Sequence, residues 1–277
     1  MKTVLTALLL AAACAATPAY AQFDHSHAAW TTLVKRHVVL VDGGKASLVN
    51  YAAFAQDRAA LKTYLATLSG VTGAEFTAWS KPQQMAFLIN AYNAFTVEKI
   101  LTRYPRLQSI RDFGTVFGNP WKDPFISLLG QPSTLDQIEH ERLRKPGAYD
   151  DPRVHFAVNC ASIGCPMLRE EAYVADRLGA QLEEQTRRFL SDRSRNRYNP
   201  DSGRLEVSKI YDWFKEDWQS GYRGFDGKTP PIASREAWFA RYAALLADIP
   251  EGRMAVADSK AQLVFLEYDW TLNDVKR

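Results

Sequence analysis

Cysteine is scarce in this chain: Cys14, Cys160 and Cys165 are the three it has. Their spacing matches neither a thioredoxin pair nor a common zinc motif. Gly-x-Gly-x-x-Gly and the Walker pattern are both absent, so a nucleotide has no sequence support and no cofactor is expected. No apolar run reaches the roughly 20 residues that span a bilayer, and a membrane span is not expected. A marked excess of either charge sign is missing too, with 34 Lys and Arg against 31 Asp and Glu and a net +3. The denser basic stretch Arg187 to Arg197 is broken by acids and reads as a solvated helix end, which excludes nucleic acid as an expected partner. Neither an internal repeat nor a low-complexity linker divides the chain.

What is present begins with a leader. Lys2, an apolar run from Val4 to about Ala16 and the small-x-small triplet Ala19-Tyr20-Ala21 predict a signal peptide over residues 1–21, cleaved after Ala21. The mature protein is then periplasmic or secreted. Cys14 follows Ala11-Ala12-Ala13, but the large aliphatic residue expected three positions before a lipoprotein cysteine is missing, so the secretory reading is preferred. Residues 22–277 are long enough for a sizeable core, and 47% hydrophobic with 12% aromatic content marks a packed globule. An oxidising compartment also permits a disulfide between Cys160 and Cys165.

The patterning predicts an α+β fold, a single mixed domain with a central buried helix packed on a small, largely antiparallel sheet. His27 to His37 reads as a helix. Val38–Val41 and Ala46–Val49 around Asp42-Gly43-Gly44 read as a hairpin. Asn50 caps a helix to about Leu68. The strongest helix is Gln83 to Leu101, with Pro82 in its first turn and apolar residues on nearly every face. Between Pro105 and Pro132 the periodicity dissolves into Gly, Pro and Asn interleaved with Phe113, Phe117, Trp121 and Phe125, a long aromatic loop suited to walling a cleft. Thr134 and Gln137 form a capping box that opens a helix carrying Glu139 and His140. Val154 to Cys160 reads as a buried strand. Helices follow over Asp176–Leu190, Ile210–Trp218 and Ser234–Ala247, with strands at Leu205–Val207 and Gln262–Trp270.

Chemistry concentrates in Asp151 to Pro166, which holds His155, Cys160 and Cys165. In an extended strand, five steps of about 3.3 Å separate His155 and Cys160 by roughly 16 Å, on opposite faces. A direct dyad is then excluded. A Cys160 nucleophile needs His140 from the preceding helix, oriented by Glu139 or by Asn90. The intervening Ala161–Gly164 turn brings the Cα atoms of Cys160 and Cys165 within the roughly 6 Å of a disulfide, so a structural disulfide or inert thiol pair competes with a catalytic thiol. Zinc would need Cys160, Cys165, His140 and His155 together at a spacing that is no known signature, and no metal site is assigned. Asn90 and Asn93 sit on one side of the central helix and, being buried, must find partners. They hold a loop backbone, or serve His155. Asn93, Asn159 and Arg153 are candidate binding residues, while Trp213, Trp218 and Trp270 read as core aromatics.

Five segments together resemble one family, the domain of unknown function 547: Phe87 to Phe95, Leu135 to His140, Asp151 to Pro166, Val207 to Phe214, and Tyr268 to Asn273. The resemblance implies a domain over residues 80–273, with 22–79 an N-terminal helical extension packed on it. It implies no reaction. Two function classes follow: a binding module whose polar Asn/His/Glu/Cys cleft takes a peptide, glycan or protein, and a Cys/His-dependent hydrolase or acyltransferase with Cys160 as nucleophile, His140 or His155 as base and Asn90 or Asn93 as orienter.

Overall fold

Trp30, Leu33, Val34 and His37 recur at three- and four-residue spacing and form the buried face of helix α1 (Ala28–His37). The computed structural model describes residues 22–114, 119–219, 221–225, 227 and 230–275. The leader expected over residues 1–21, with Cys14, lies outside the described residues, as do Phe117 and Gly118 of the aromatic loop. After α1 the expected hairpin forms, β1 (Val38–Val41) pairing antiparallel with β2 (Ala46–Val49). Asn50 caps α2 (Tyr51–Gln56) by accepting the Ala53 N–H at 3.0 Å. A break at Asp57 then starts α3 (Arg58–Gly70), so the single helix expected here is two. A short α4 (Gly73–Ala78), which the pattern did not signal, leads into α5 (Lys81–Leu101).

Helix α5 is the centre of the larger core. Ser80 and Gln83 close a capping box in front of Pro82, and every residue from Gln84 to Leu101 except Glu98 is buried. Around it gather Trp30, Phe54, Leu61, Leu68, Ile110, Leu135, Ile138 and Tyr173, drawn from both sides of α5 in sequence. The aromatic loop is anchored to the same helix through Lys99. Its buried ammonium meets Asp123 at 2.8 Å and lies 4.8 and 4.4 Å from the ring centres of Phe113 and Phe125. Beyond the loop, β3 (Ile126–Leu128) and β4 (Gln131–Ser133) form a small hairpin, and Thr134 and Gln137 make the predicted reciprocal cap. The helix they open is wound as a π-helical segment, Gln137–Leu143.

The strand expected at Val154–Cys160 does not exist. Asp151 accepts the Arg153 N–H at 3.0 Å and Pro152 fixes the next φ, so Pro152–Phe156 winds into a 3₁₀ turn, with irregular chain after it. The opposite-face geometry of His155 and Cys160 falls with that strand.

A second apolar cluster is assembled from α6 (Leu178–Leu190), β5 (Arg197–Asn199), β6 (Arg204–Val207), α7 (Ile210–Trp213), a 3₁₀ turn Lys215–Gln219, α8 (Arg235–Arg241), α9 (Ala243–Leu246), α10 (Pro250–Ala257) and β7 (Gln262–Phe265). Phe156 inserts its ring here, against Phe189, Trp218 and Trp238. Strand β6 pairs antiparallel with β5 and parallel with β7. The result is the expected mixed α+β architecture with small sheets, one of which carries a parallel edge. After β7 the chain returns across the molecule, where Ile163 N–H bonds Thr271 O and Gly164 N–H bonds Asp269 O, both at 2.8 Å. Asn273 then accepts from the Tyr51 hydroxyl at 2.8 Å.

Candidate functional site

The loop that carries the cysteines is held by asparagine side chains. Asn93 on α5 donates to Ala157 O at 2.9 Å and accepts the Asn159 N–H at 2.8 Å. Asn159 in turn donates to Pro166 O at 2.7 Å and accepts the Ala161 N–H at 3.0 Å, so its one amide clasps both ends of the segment between Cys160 and Cys165. Ala161, at φ 62°, makes the sharp reversal between them. Gly164 has no room for a side chain: a Cβ there would lie 3.0 Å from the Asp269 backbone and from the Tyr268 ring. That close approach delivers the Tyr268 hydroxyl to Cys160.

Cys160 and Cys165 are free thiols with Sγ atoms 2.8 Å apart, and the expected disulfide is not formed. Cys160 is partly exposed and Cys165 is buried. Ser162 Oγ and Tyr268 OH reach Cys160 Sγ at 3.2 and 3.3 Å, while the Cys160 N–H donates to Cys165 Sγ at 2.9 Å. The hydrogen bond from Cys165, helped by those from Ser162 and Tyr268, holds the Cys160 thiol below its ordinary range against the opposing effect of burial. Burial, with the bond to Cys160, pushes Cys165 well above that range. Cys160 is therefore the thiol that ionises first.

His155 is paired with a residue that the sequence reading missed. Its Nε2 lies 2.7 Å from Asp217 Oδ2, and its ring stacks on Phe214 with centres 4.3 Å apart and planes 15° from parallel. A carboxylate only accepts, so this contact places a proton on Nε2 and leaves Nδ1 as the lone-pair nitrogen of the neutral ring. Arg144 clamps the same carboxylate at 2.6 and 3.2 Å and also contacts His140 Nδ1. Although burial opposes it, the bonds from His155 and Arg144 hold Asp217 down at about 2. His140 faces Asp136 at 3.7 Å. Burial, then the nearby Glu139 carboxylate, pushes the Tyr92 phenol well up.

Glu139, His140, His155, Cys160 and Cys165 all line one cavity of about 190 Å³. Tyr92, Asn119, Trp121, Asp136, Trp213, Phe214, Tyr268 and Trp270 complete much of its wall. The rings run on from one another: Trp213 stacks on Trp270 at 5.7 Å, Tyr268 meets Trp270 at 4.5 Å, and Trp121 meets Trp270 edge-on at 5.8 Å. Trp213 is 44% exposed and Trp270 half-buried, so both are walls of the cavity and not the core aromatics expected from the sequence. Trp218, by contrast, is fully buried.

Asn90, Asn93, Asn159 and Arg153 stand outside the cavity. Both groups of the Asn90 amide are taken by the Tyr173 backbone, at 2.8 and 3.0 Å. Neither asparagine of α5 touches His155, whose expected amide partner is replaced by Asp217. Arg153 pairs with Asp151 at 2.8 Å and bonds the Tyr222 hydroxyl at 3.1 Å. Asp217 and Tyr268 follow the cysteine segment by more than fifty residues, and only the Tyr268-Asp269-Trp270 segment carried any sequence signal toward them. Among the described residues the side chains bonded to Cys160 Sγ are Cys165, Ser162 and Tyr268, and neither His140 nor His155. Among the described residues, too, no group of three His, Cys, Asp or Glu side chains is placed to hold a metal, and no helix is long and apolar enough to cross a membrane.

Residues 76–190 match the model of a family described as "Protein of unknown function, DUF547". The chain thus carries a DUF547 domain over that span. No curated protein and no solved structure matches it. The matched span supplies the cysteines, both cavity histidines, Tyr92 and Trp121, while Trp213, Phe214, Asp217, Tyr268 and Trp270 come from the chain after it.

Proposed function

We propose that this cavity is the active site of an exported thiol enzyme of the acyl-transfer or hydrolytic kind. Cys160 is the nucleophile, and the aromatic wall holds the substrate. The observation that carries the reading is the cluster around Cys160 Sγ: the sulfur of a partly exposed residue with Cys165, Ser162 and Tyr268 within hydrogen-bond reach at 2.8 to 3.3 Å, in a cavity shared with a carboxylate-held histidine. Hydrogen bonding of that kind favours the thiolate, which is the attacking form. His155 is not the group that activates the thiol. Both residues line the same cavity, and in this reading its Nδ1 takes a proton from the water that releases the acyl group and returns it to the leaving Cys160 sulfur. Asp217 fixes the ring and its tautomer. Trp213, Tyr268 and Trp270 offer flat apolar faces for the non-reacting part of the substrate.

Mass measurement after incubation with p-nitrophenyl acetate tests this. One acetyl group should appear on Cys160, and its release should slow about 100-fold in His155→Asn, the lower range for loss of a general base. An acetyl group located elsewhere, an unacylated protein, or unchanged release in His155→Asn overturns the reading.

A further inference from the structure

We infer that Cys165 is the resolving partner of Cys160, and that the pair is a reversible dithiol site that takes two electrons' worth of oxidation from a low-molecular-weight disulfide. The inference rests on Cys160 being the reactive thiol. It adds a second reaction of the same sulfur, one that closes the site.

Three features carry it. The two Sγ atoms are 2.8 Å apart, closer than sulfurs in ordinary packing contact though beyond the roughly 2.05 Å of an S–S bond. The Cys160 N–H already points at Cys165 Sγ, at 2.9 Å, so the buried sulfur is held beside its partner instead of turned into the core. Access is unequal: both line the cavity, but Cys160 is partly exposed whereas Cys165 is 6% exposed. An incoming disulfide meets Cys160. Cys165 meets Cys160.

The chemistry balances in two exchanges. The Cys160 thiolate attacks one sulfur of the small disulfide, whose S–S bond breaks; one half leaves as thiolate and takes up a proton, and the other half stays bonded to Cys160. Cys165 then gives up its proton, its sulfur attacks the Cys160 sulfur, and the second half leaves as a thiol. The protein has lost two electrons and two protons, and the small disulfide has become two thiols. Cys160 is now bonded to Cys165 and is no longer a nucleophile. A low-molecular-weight thiol reverses both steps. An attacking thiol with a neighbour able to displace its adduct is also spared the irreversible higher oxidation states.

The test uses the full chain, reduced with dithiothreitol, freed of it, and exposed to glutathione disulfide, with intact masses and peptide mapping as readouts. The wild type should lose two hydrogens, yield a Cys160–Cys165 cross-linked peptide and carry no glutathione on Cys160. Cys165→Ala and Cys165→Ser should each hold one stable glutathione on Cys160. The cross-linked wild type should take no acetyl group from p-nitrophenyl acetate until dithiothreitol is restored. A wild type that keeps glutathione on Cys160 while Cys165 stays alkylatable after unfolding overturns the dithiol inference and leaves the nucleophile standing. A Cys160 inert toward glutathione disulfide in all three proteins overturns both.

Discussion

Asn93 and Asn159 are locked together, the side chain of the first accepting the backbone N–H of the second at 2.8 Å within fully enclosed surroundings. The buried helix thereby sets where the cysteine loop begins. Asn93→Ala would orphan the Asn159 N–H and the Ala157 carbonyl, at a cost of about 2–6 kcal/mol for two buried groups. Urea unfolding should register it. Asn90→Ala should cost a similar amount, but its partners are on Tyr173, so only Asn93→Ala should also change the alkylation rate of Cys160. Equal effects of the two variants on that rate would contradict this division.

The rate of Cys160 alkylation by iodoacetamide should rise with pH and level off at a midpoint below the ordinary thiol value of 9.0, because its donors favour the thiolate. Tyr268→Phe removes one of them and should move that midpoint upward. Cys165 should stay silent until the protein unfolds. A midpoint at or above 9.0 in the wild type, or no movement in Tyr268→Phe, would count against the assigned roles.

Asp217 gives the pH dependence of stability a definite sign. Its folded value of about 2 lies below the ordinary 3.8, so its contribution is fully present above pH 4 and is lost as pH falls toward 2. Denaturation midpoints measured across that window should therefore drop more steeply for the wild type than for Asp217→Asn. Parallel curves would mean that the pairing with His155 and Arg144 does not stabilise the fold.

Gly164→Ala tests how tightly the returning chain is seated. A Cβ 3.0 Å from the Asp269 backbone and the Tyr268 ring forces that segment outward, since backbone cannot yield as a flexible side chain does. Tyr268 should leave Cys160, the iodoacetamide midpoint should rise as in Tyr268→Phe, and the fluorescence of Trp270 and Trp213 should change. Wild-type values for all three would show the contact to be looser than the geometry implies.

Amino-terminal sequencing of protein recovered from the producing cells should begin at Gln22. A chain starting at Met1, or one lipid-modified at Cys14, would refute the cleavage read from Ala19-Tyr20-Ala21.

Local signals made much of this legible. Pro82 and the buried run behind it marked α5, Thr134 and Gln137 marked the cap of the segment with Glu139 and His140, and the Gly43-Gly44 turn marked the first hairpin. The same kind of reading failed at Val154–Cys160. There the apolar run looked like a strand, yet Asp151 and Pro152 are a helix-start signal, and the backbone beyond bonds to Asn93 in place of a neighbouring strand. The His155–Asp217 pair was illegible for a different reason: sixty-two residues separate its members, and no local pattern encodes a contact made by folding. Trp213 misled because an aromatic ring on a helix carries the same periodicity whether it faces a core or a cavity.

Residues 268–273 are synthesised after nearly everything they bind: Tyr51, Cys160, Ser162, Ile163 and Gly164. A nascent chain, however well its α5 core has formed, has no Tyr268 to favour the thiolate and no Trp270 to wall the cavity. Its Cys160 has Cys165 and Ser162 beside it but lacks the Tyr268 contact until that residue emerges. The Tyr268 share of Cys160 reactivity and the Trp270 wall are then late events in the life of each molecule, and a thiol probe applied to chains of increasing length would time the moment at which this segment docks.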